Sequence, residues 1–326
     1  MEDDHEPDEE RLITSIERLM REKLEKDYAP EGTRRDAHPK HTGLLEATFA
    51  VEQDLPAELR VGLFAEARSY QAWIRTSSAS SRPQSDAIGD VRGFAIKLRD
   101  AGGEKIPESD EPRTQDFVLL SMPRMPLGTV KLFEDAIYYA SKRSIGLFAL
   151  KMLVTGQSRV IKGLREGRQH PTSPLEIRYW STTPYRFGDR IVKYSLLPTS
   201  GTPTALPAPL TDHYLTEAME RRLKSDTVTF DFAVQLRKDG MSITDSAPRW
   251  DETVSPFLKV ATLTIAPQVF RTEERDRLAE ALSFSPGHAR VEHRPVGSIN
   301  RARMRVYRTN SDFRHRRRGL PRLNDS

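Results

Sequence analysis

The pattern of apolar and polar residues predicts strands along most of this chain. In the clearest segment, 227–237, five apolar residues alternate with polar ones. Because successive side chains of a strand point to opposite faces, this pattern is typical of a strand buried on one side. Other short apolar segments, bounded by Gly, Pro, Ser and Asp, are also predicted as strands: 44–51, 70–76, 91–98, 115–120, 171–183, 190–197 and 257–265.

Apolar residues at helical spacing predict helices at both ends and in the middle of the chain. They cover residues 10–26, one long or two short helices within 129–154, and 273–282. Residues 198–210 contain four prolines and are predicted as a loop. About eight strands, with helices grouped between and after them, favour an α+β protein with a closed antiparallel barrel over alternating βαβ units.

The composition is that of an ordinary globular protein, with 326 residues, 37% hydrophobic and 30% charged. No apolar run approaches the roughly 18 residues that a membrane span needs. The N-terminus is acidic, whereas a secretory signal begins basic and then turns apolar, so we expect a cytoplasmic protein. The sequence has no cysteine, so any metal must be held by His, Tyr or carboxylate.

The net charge of +4 is small, but the end of the chain is strongly basic. The clustered residues are Arg314, Arg316, Arg317, Arg318 and Arg322. A solvated charged tail is the simpler interpretation of such a run. Nucleic-acid binding is the alternative, but no zinc-finger, RNA-binding or helix-turn-helix pattern supports it.

Three residues near the C-terminus carry the first sign of chemistry. Arg303, Tyr307 and Arg314 have spacings that place them on one face of a helix. A phenol with a pKa of about 10 must lose its proton to bind a metal, and neighbouring cations favour the phenolate. Tyrosinate could then ligate ferric iron, although from the spacing alone a core tyrosine beside two surface arginines is the simpler interpretation.

Two histidines stand before the first predicted strand. Arg35 and His38 are followed by Lys40, His41 and Gly43. An imidazole titrates near neutrality and is suited to general acid–base catalysis on a peroxide. The paired histidines also suggest a metal site, but no further ligands follow at a recognised zinc spacing. Taken alone, a solvated or structural histidine is the simpler interpretation.

These segments resemble motifs of the catalases. Residues 35–43 resemble the distal haem motif, with an arginine three positions before the essential histidine and then Lys and Gly. Residues 91–98 are similar to the family's strand Arg-Gly-Phe-Ala-Val-Lys-Phe. Residues 183–189 and 192–195 resemble a segment of the smaller catalase-related proteins.

The resemblance continues toward the C-terminus in family order. Residues 282–287 are similar to the Phe-x-Pro segment that precedes the proximal helix. Residues 303–307, with Arg314 seven positions further on, resemble the proximal ligand motif. The resemblance covers the chain from about Arg35 to Arg314. It implies a catalase-like barrel with flanking helices, a C-terminal proximal haem helix and haem b as cofactor.

The resemblance also implies roles for individual residues. Tyr307 would be the axial iron ligand, with Arg303 pairing with its phenolate, and His38 would be the catalytic distal histidine. Arg35 and Arg314 would reach the haem propionates.

One more propionate-binding residue is implied on the second predicted strand. Arg75 matches it if the alignment has a one-residue gap. Either Thr76 or Ser77 could then hold His38 by a hydrogen bond.

The sequence departs from the family on the distal side. Catalases have an asparagine there, but this chain has only Asn300, Asn310 and Asn324, so we expect Ser121 or a neighbour near its place. Losing this polar anchor weakens the positioning of hydrogen peroxide. The chain is also shorter than ordinary catalases, which implies a wider access route and makes organic hydroperoxides plausible substrates.

The resemblance therefore favours a haem peroxidase that acts on organic or fatty-acid hydroperoxides, and weakly on hydrogen peroxide, through a ferryl intermediate. Its partners would be the peroxide and an organic electron donor. Three alternatives stay open: a true catalase, a hydroperoxide isomerase of the allene oxide synthase type, and a non-enzymatic haem carrier or sensor. Product analysis and peroxide-dependent turnover distinguish them.

The expected domain organisation is simple. Residues 1–30 form an N-terminal helical arm, residues 31–316 the haem-binding domain and residues 317–326 a basic tail. No internal repeat is visible. A homodimer is possible, and neither a membrane span nor a nucleic-acid partner is expected.

Overall fold

The computed structural model describes residues 5–142, 144–201, 204–321 and 323. Within them the strands are β1 (His41–Val51), β2 (Ser69–Ser78), β3 (Arg92–Leu98), β4 (Gln115–Leu120), β5 (Tyr179–Trp180), β6 (Tyr185–Phe187), β7 (Arg190–Pro198), β8 (Val228–Leu236) and β9 (Phe257–Ile265). The α-helices are α1 (Glu9–Asp27), α2 (Val130–Ser141), α3 (Ile145–Val154), α4 (Ser158–Glu166), α5 (Tyr214–Leu223), α6 (Glu273–Ala281) and α7 (Ser298–Arg318). Arg322 and Asn324 lie outside the described residues.

Eight strands close into an antiparallel barrel. Their hydrogen-bonded order is β1, β2, β3, β4, β5, β7, β8 and β9, and β9 pairs with β1 to complete the ring. Strand β6 is a short hairpin partner on β7. Closure pairs the sheet edges that would otherwise be exposed. The α+β fold with a closed eight-stranded antiparallel barrel and flanking helices, predicted from the sequence, is confirmed.

The barrel interior is filled by aromatic side chains. Phe117 and Phe232 have ring centroids 4.7 Å apart, and Phe49 lies 5.1 Å from Phe232 and 6.2 Å from Phe117. Each buried aromatic pair adds about 0.5–1.5 kcal/mol beyond its burial. Packed side chains therefore fill the interior, which leaves the outside of the barrel for ligand sites.

Strand alternation creates a second, outward-facing row on β2, β3 and β4. Ile74, Phe94 and Leu119 are core residues of the barrel. The residues that alternate with these core residues along the strands, such as Arg75 and Ala95, line a pocket outside the barrel. A sheet face that carries such side chains must be covered by another element.

Helix α7 lies across this pocket and is itself supported by the N-terminal helix. One apolar cluster joins the three helices α1, α2 and α7, and it comprises Leu12, Ile13, Ile16, Met20, Val130, Ile299, Ala302 and Val306. At its other end α7 is fixed by His315, whose Nε2 is 2.8 Å from the carbonyl oxygen of Ala281 in α6. The helix continues to Arg318, so most of the basic cluster belongs to α7.

The sequence patterns located most elements but not all of them. Strands β4 and β9 begin and end where they were predicted, and the region 129–154 forms the two helices α2 and α3. The strand expected within 171–183 is the short β5, Tyr179–Trp180. It does not extend through the start of that range, where Pro171 and Pro174 lack the N–H that a strand needs. Elements α4, α5 and β6 were not predicted. Among the described residues, no helix is both long and apolar enough to cross a membrane.

Candidate functional site

A pocket lies between the outer face of β2–β4 and helix α7. The loop before β1 contributes Arg35 and His38, β2 contributes Arg75, and α7 contributes Tyr307 and Arg314. Five of the six residues singled out from the sequence therefore meet in one cavity, although the most distant of them are separated by 279 positions in the numbering.

His38 is held in the pocket by a hydroxyl. Its Nδ1 lies 2.9 Å from Ser77 Oγ, whereas the Thr76 hydroxyl accepts from Thr42 Oγ1 at 2.8 Å and donates to the Gly43 carbonyl at 3.4 Å. Of the two candidates offered by the sequence, Ser77 is the one that contacts His38. Gly93 makes room for this pair, because a Cβ at Gly93 would lie 2.7 Å from both His38 Nδ1 and Ser77 Oγ.

The backbone and the surroundings of His38 are both unusual. His38 has φ of 55°, a left-handed conformation that costs energy in a residue with a side chain, and Pro39 follows it. The Arg75 guanidinium donates to the His38 carbonyl at 2.7 Å and helps to fix this turn. Burial, together with the cations of Arg75, Arg303 and Arg35, lowers the pKa of His38 to about 3. The ring is therefore neutral at physiological pH and can accept a proton.

Two buried arginines in the pocket keep unused hydrogen-bond donors. Within the described residues, Nε of Arg75 and Nε of Arg314 are buried without an acceptor, and the Leu282 carbonyl that accepts from Arg314 Nη2 is 3.4 Å away. Burial, and next the charge of Arg35, lower the pKa of both guanidinium groups well below the ordinary range. Buried cations with free donors favour a bound anion.

Arg35 lies beside these two cations but has protein partners. Its Nη2 donates to the carbonyls of Ala279 and Leu282 at 2.8 and 2.7 Å, at the end of α6. Its Nη1 is 3.5 Å from Glu280. Although burial alone would raise it, the surrounding arginines lower the pKa of Glu280 to about 2. Arg318 also pairs with Glu280 at 2.7 Å, and the buried carboxyl of Asp36 lines the same end of the pocket. Four arginines therefore face two carboxyl groups there, which leaves this end of the pocket positive.

On the helix side, Tyr307 is backed by Arg303. The Arg303 guanidinium carbon lies 5.6 Å from the centre of the Tyr307 ring. Its Nη1 donates to Thr183 Oγ1 at 3.0 Å and to Asn300 Oδ1 at 3.1 Å. Burial acts to lower the pKa of Arg303, but the phenols of Tyr307 and Tyr185 outweigh it and raise that pKa. Arg303 is therefore a cation fixed behind the pocket-lining phenol.

The pocket has a third polar side that the sequence motifs did not indicate. His288 and Asp110 both line it. The two ring nitrogens of His288 face carboxylates: Nδ1 lies 2.7 Å from Asp116 Oδ2 and Nε2 lies 2.9 Å from Asp110 Oδ1. A neutral imidazole has one N–H, so two acceptor-only partners favour the protonated ring. Burial and Lys97 oppose this charge, but Asp116 and Asp110 prevail and raise the pKa of His288.

The same cluster contains a set of potential metal ligands. In the described part of the chain, Glu111, Asp116 and His288 form the group whose ligand atoms converge closely enough to hold an ion. The Lys97 ammonium already occupies their centre, with contacts to Glu111, to Asp116 at 3.0 Å and to His288 at 3.2 Å. Lys97 therefore supplies the positive charge that a metal would otherwise bring.

Of the residues expected near the place of the distal asparagine, Ser121 is not at the pocket but its neighbour Leu120 is. Ser121 lies just beyond β4 and lines a separate surface depression. Its hydroxyl accepts a hydrogen bond from the Arg92 amide at 2.8 Å, so the expectation is wrong for Ser121 itself. The outward-facing residues that β4 contributes to the pocket, Val118 and Leu120, are apolar.

The neighbours of His38 in the sequence have structural roles. Lys40 is paired with Asp86 at 2.7 Å and donates to two carbonyls. His41 contacts Asp276 at 3.0 Å and is absent from the residues that line the pocket. The alternative of a metal site shared by His38 and His41 finds no support among the described residues.

Comparison with known proteins relates this architecture to one group of structures. No family model matches the chain, and no curated protein matches it either. Among solved structures, a fungal catalase matches with a TM-score of 0.70 and 16% identity over 89% of this chain. A bacterial catalase gives 0.67 and 16% over 93%, and catalase A from Saccharomyces cerevisiae gives 0.70 and 14% over 89%.

The chain therefore has the catalase fold. It spans 60% to 62% of the length of these three catalases. At this level of identity the likeness concerns the fold, and the activity has to be argued from the pocket itself.

Proposed function

We propose that the pocket binds haem b and that the chain is a haem peroxidase for organic or fatty-acid hydroperoxides. The observation that carries this proposal is the meeting of His38, from the sheet side, with Tyr307, from the helix side, in one pocket lined by buried arginines. Tyr307 would bind the iron, as tyrosine does in catalases. Arg303 would stabilise the phenolate form of Tyr307.

The charges of the pocket fit the propionates of haem. Arg75 and Arg314 each have a buried Nε without an acceptor, and a carboxylate is the anion that a guanidinium binds best. Arg35 is already paired with carbonyls and Glu280, so we assign it the indirect task of holding α6 and adding positive potential. Gly93, Ala95 and Val118 would give the ring system an apolar wall.

His38 would move the proton of the substrate. Bound haem would supply the iron at which the O–O bond of the hydroperoxide is cleaved. With Nδ1–H donating to Ser77, Nε2 can accept the hydroperoxide proton and return it to the leaving alkoxide oxygen. Because the pKa of His38 is about 3, its ring is in the accepting form at neutral pH.

The apolar wall supports organic hydroperoxides over hydrogen peroxide as substrates. Oxidation of a second hydrogen peroxide to oxygen needs that molecule to be oriented by polar groups. On β4 the pocket offers the outward-facing Val118 and Leu120, while Ser121 and Gln115 make hydrogen bonds elsewhere. An alkyl chain, by contrast, gains free energy from this surface.

The test uses protein purified from haem-supplemented cells. Oxygen evolution from hydrogen peroxide is measured beside oxidation of a dye donor with cumene hydroperoxide or a fatty-acid hydroperoxide, and the lipid products are identified. We expect donor oxidation with organic hydroperoxides to dominate. Dominant oxygen evolution would make the protein a catalase, and rearranged lipid without donor oxidation would make it an isomerase. Stable haem without turnover would make it a carrier or sensor.

A further inference from the structure

Helix α3 exposes an apolar surface for which the fold provides no cover. Its inner residues, Phe148 and Met152, pack with Leu132 and Val160 of the neighbouring helices. Its outward side chains are 55% to 79% exposed: Ile145, Leu147, Leu150, Leu153 and Val154. Single exposed apolar residues are normal, but five within ten consecutive positions form a patch of the kind that marks a contact surface.

Basic residues surround this apolar patch. Residues 142–168 contain seven Lys or Arg and one acidic residue, whereas the whole chain has a net charge of +4, so the rest of the protein is slightly acidic. Arg159, Lys162 and Arg165 are exposed on α4, the helix that follows α3. The one acid, Glu166, is paired with Arg124 at 2.6 Å.

We infer that this surface, formed by the outward residues of α3 and the basic residues of α4, binds anionic lipid bilayers peripherally. Helices with an exposed apolar face and flanking Lys and Arg lie in the membrane interface, with apolar side chains among the acyl chains and cations at the lipid phosphates. Each such cation attracts an anionic bilayer, and the attraction is screened by salt.

Charge distinguishes this partner from a second copy of the chain. A symmetric contact between two α3–α4 surfaces would bring like charges together, which opposes association. A nucleic acid would neutralise the cations but leave the apolar side chains of α3 without a partner. An anionic bilayer satisfies both features at once, and this binding does not depend on the proposed peroxidase activity.

The test is sedimentation of the full chain with vesicles. One vesicle type contains phosphatidylcholine only, and the other contains phosphatidylcholine mixed with phosphatidylglycerol, each at low and high salt. We expect at least tenfold stronger binding to the anionic vesicles than to phosphatidylcholine alone. High salt should remove this preference, and the result should be the same with and without haem. Leu147→Ser/Leu150→Ser should abolish most of it.

A second variant tests the charges independently of the apolar patch. Arg159→Gln/Lys162→Gln/Arg165→Gln should weaken binding to anionic vesicles by roughly two powers of ten. Matched controls replace side chains that are equally exposed elsewhere: Val254→Ser/Val269→Ser for the apolar variant and Arg113→Gln/Arg271→Gln/Arg277→Gln for the charge variant. These controls should bind as the original chain does.

Three results would overturn the inference. The first is no binding, or equal binding to both vesicle types. The second is equal loss in the controls and the α3–α4 variants. The third is a dimer that becomes monomeric in Leu147→Ser/Leu150→Ser while vesicles are not bound, since a second copy would then cover the patch. Because all substituted side chains are exposed, the variants should keep the far-ultraviolet circular dichroism of the original chain.

Discussion

The Nδ1 atom of His38 lies 2.9 Å from the Oγ of Ser77, across a gap that only a glycine at position 93 leaves open. This contact engages one ring nitrogen and leaves the other for chemistry in the pocket. It joins two residues 39 positions apart.

Replacing His38 with alanine should leave haem bound but slow peroxide cleavage. The expected loss is roughly two powers of ten or more, the usual contribution of a general acid–base. Rapid mixing of the haem-loaded protein with a hydroperoxide measures it. In the original protein the rate should be constant from about pH 5 to 8, because the pKa of His38 is about 3. His41→Ala, outside the pocket, is the matched control; equally fast reaction of His38→Ala would remove His38 from the catalytic role.

Replacing Ser77 with alanine should weaken the same step less. One neutral hydrogen bond contributes about 1 kcal/mol, so we expect a roughly fivefold slower cleavage with unchanged haem affinity. Ser78→Ala is the control, because Ser78 is also buried but bonds to Arg92. A Ser77 variant that reacts at the original rate while Ser78→Ala is slow would show that Ser77 does not position His38.

Arg314 and Arg35 differ in their hydrogen-bond partners, so we expect different effects when each is replaced by leucine. Arg314→Leu removes a poorly paired buried cation, so the apo protein should keep or gain stability while haem binds roughly tenfold to a hundredfold more weakly. Arg35→Leu leaves the carbonyls of Ala279 and Leu282, at the end of α6, without their donor. It should therefore lower the free energy of unfolding of the apo protein by about 2–3 kcal/mol. Urea unfolding and haem titration measure both. Loss of apo stability in Arg314→Leu without loss of haem affinity would contradict the anion site.

The fold was largely predictable because its strands have local apolar patterns. Val228–Leu236 alternates with a period of two residues, Gln115–Leu120 is a short apolar-rich segment, and the structure pairs both within the barrel. Helix α4 escaped prediction because it is short, and three of its nine residues are Arg or Lys. Helix α5 likewise has only ten residues.

The pocket was predictable only where a motif exists. The spacing around Tyr307 and the motif around His38 single out residues that the structure brings together. The cluster of Lys97 with His288 joins residues 191 positions apart, and only the folded sheet places them side by side. A lysine inside the apolar strand at residues 91–98 was the available signal, because a buried ammonium requires carboxylates nearby. Ser121 was placed wrongly because the register at the end of β4 is not readable from sequence.

Protonation of His288 should stabilise the protein at low rather than high pH. Its pKa in the folded state is raised above the ordinary 6.5. The contribution is therefore fully present below about pH 6.5 and is lost as the pH rises through the folded-state pKa. The stability difference between the original protein and His288→Gln should shrink from pH 6 to 9, by at most about 1.4 kcal/mol per pH unit. His213→Gln, an exposed site, serves as control; a difference that grows with pH would contradict the charged state.

The ultraviolet–visible and electron paramagnetic resonance spectra of Tyr307→Phe test the central claim most directly. The original protein, purified with haem, should show a high-spin ferric tyrosinate spectrum. Tyr185→Phe should retain it, because the Tyr185 phenol lies beside Arg303 but does not line the pocket. Tyr307→Phe should lose this spectrum and most of its haem, whereas an unchanged spectrum in Tyr307→Phe would contradict the assignment of Tyr307 as the iron ligand.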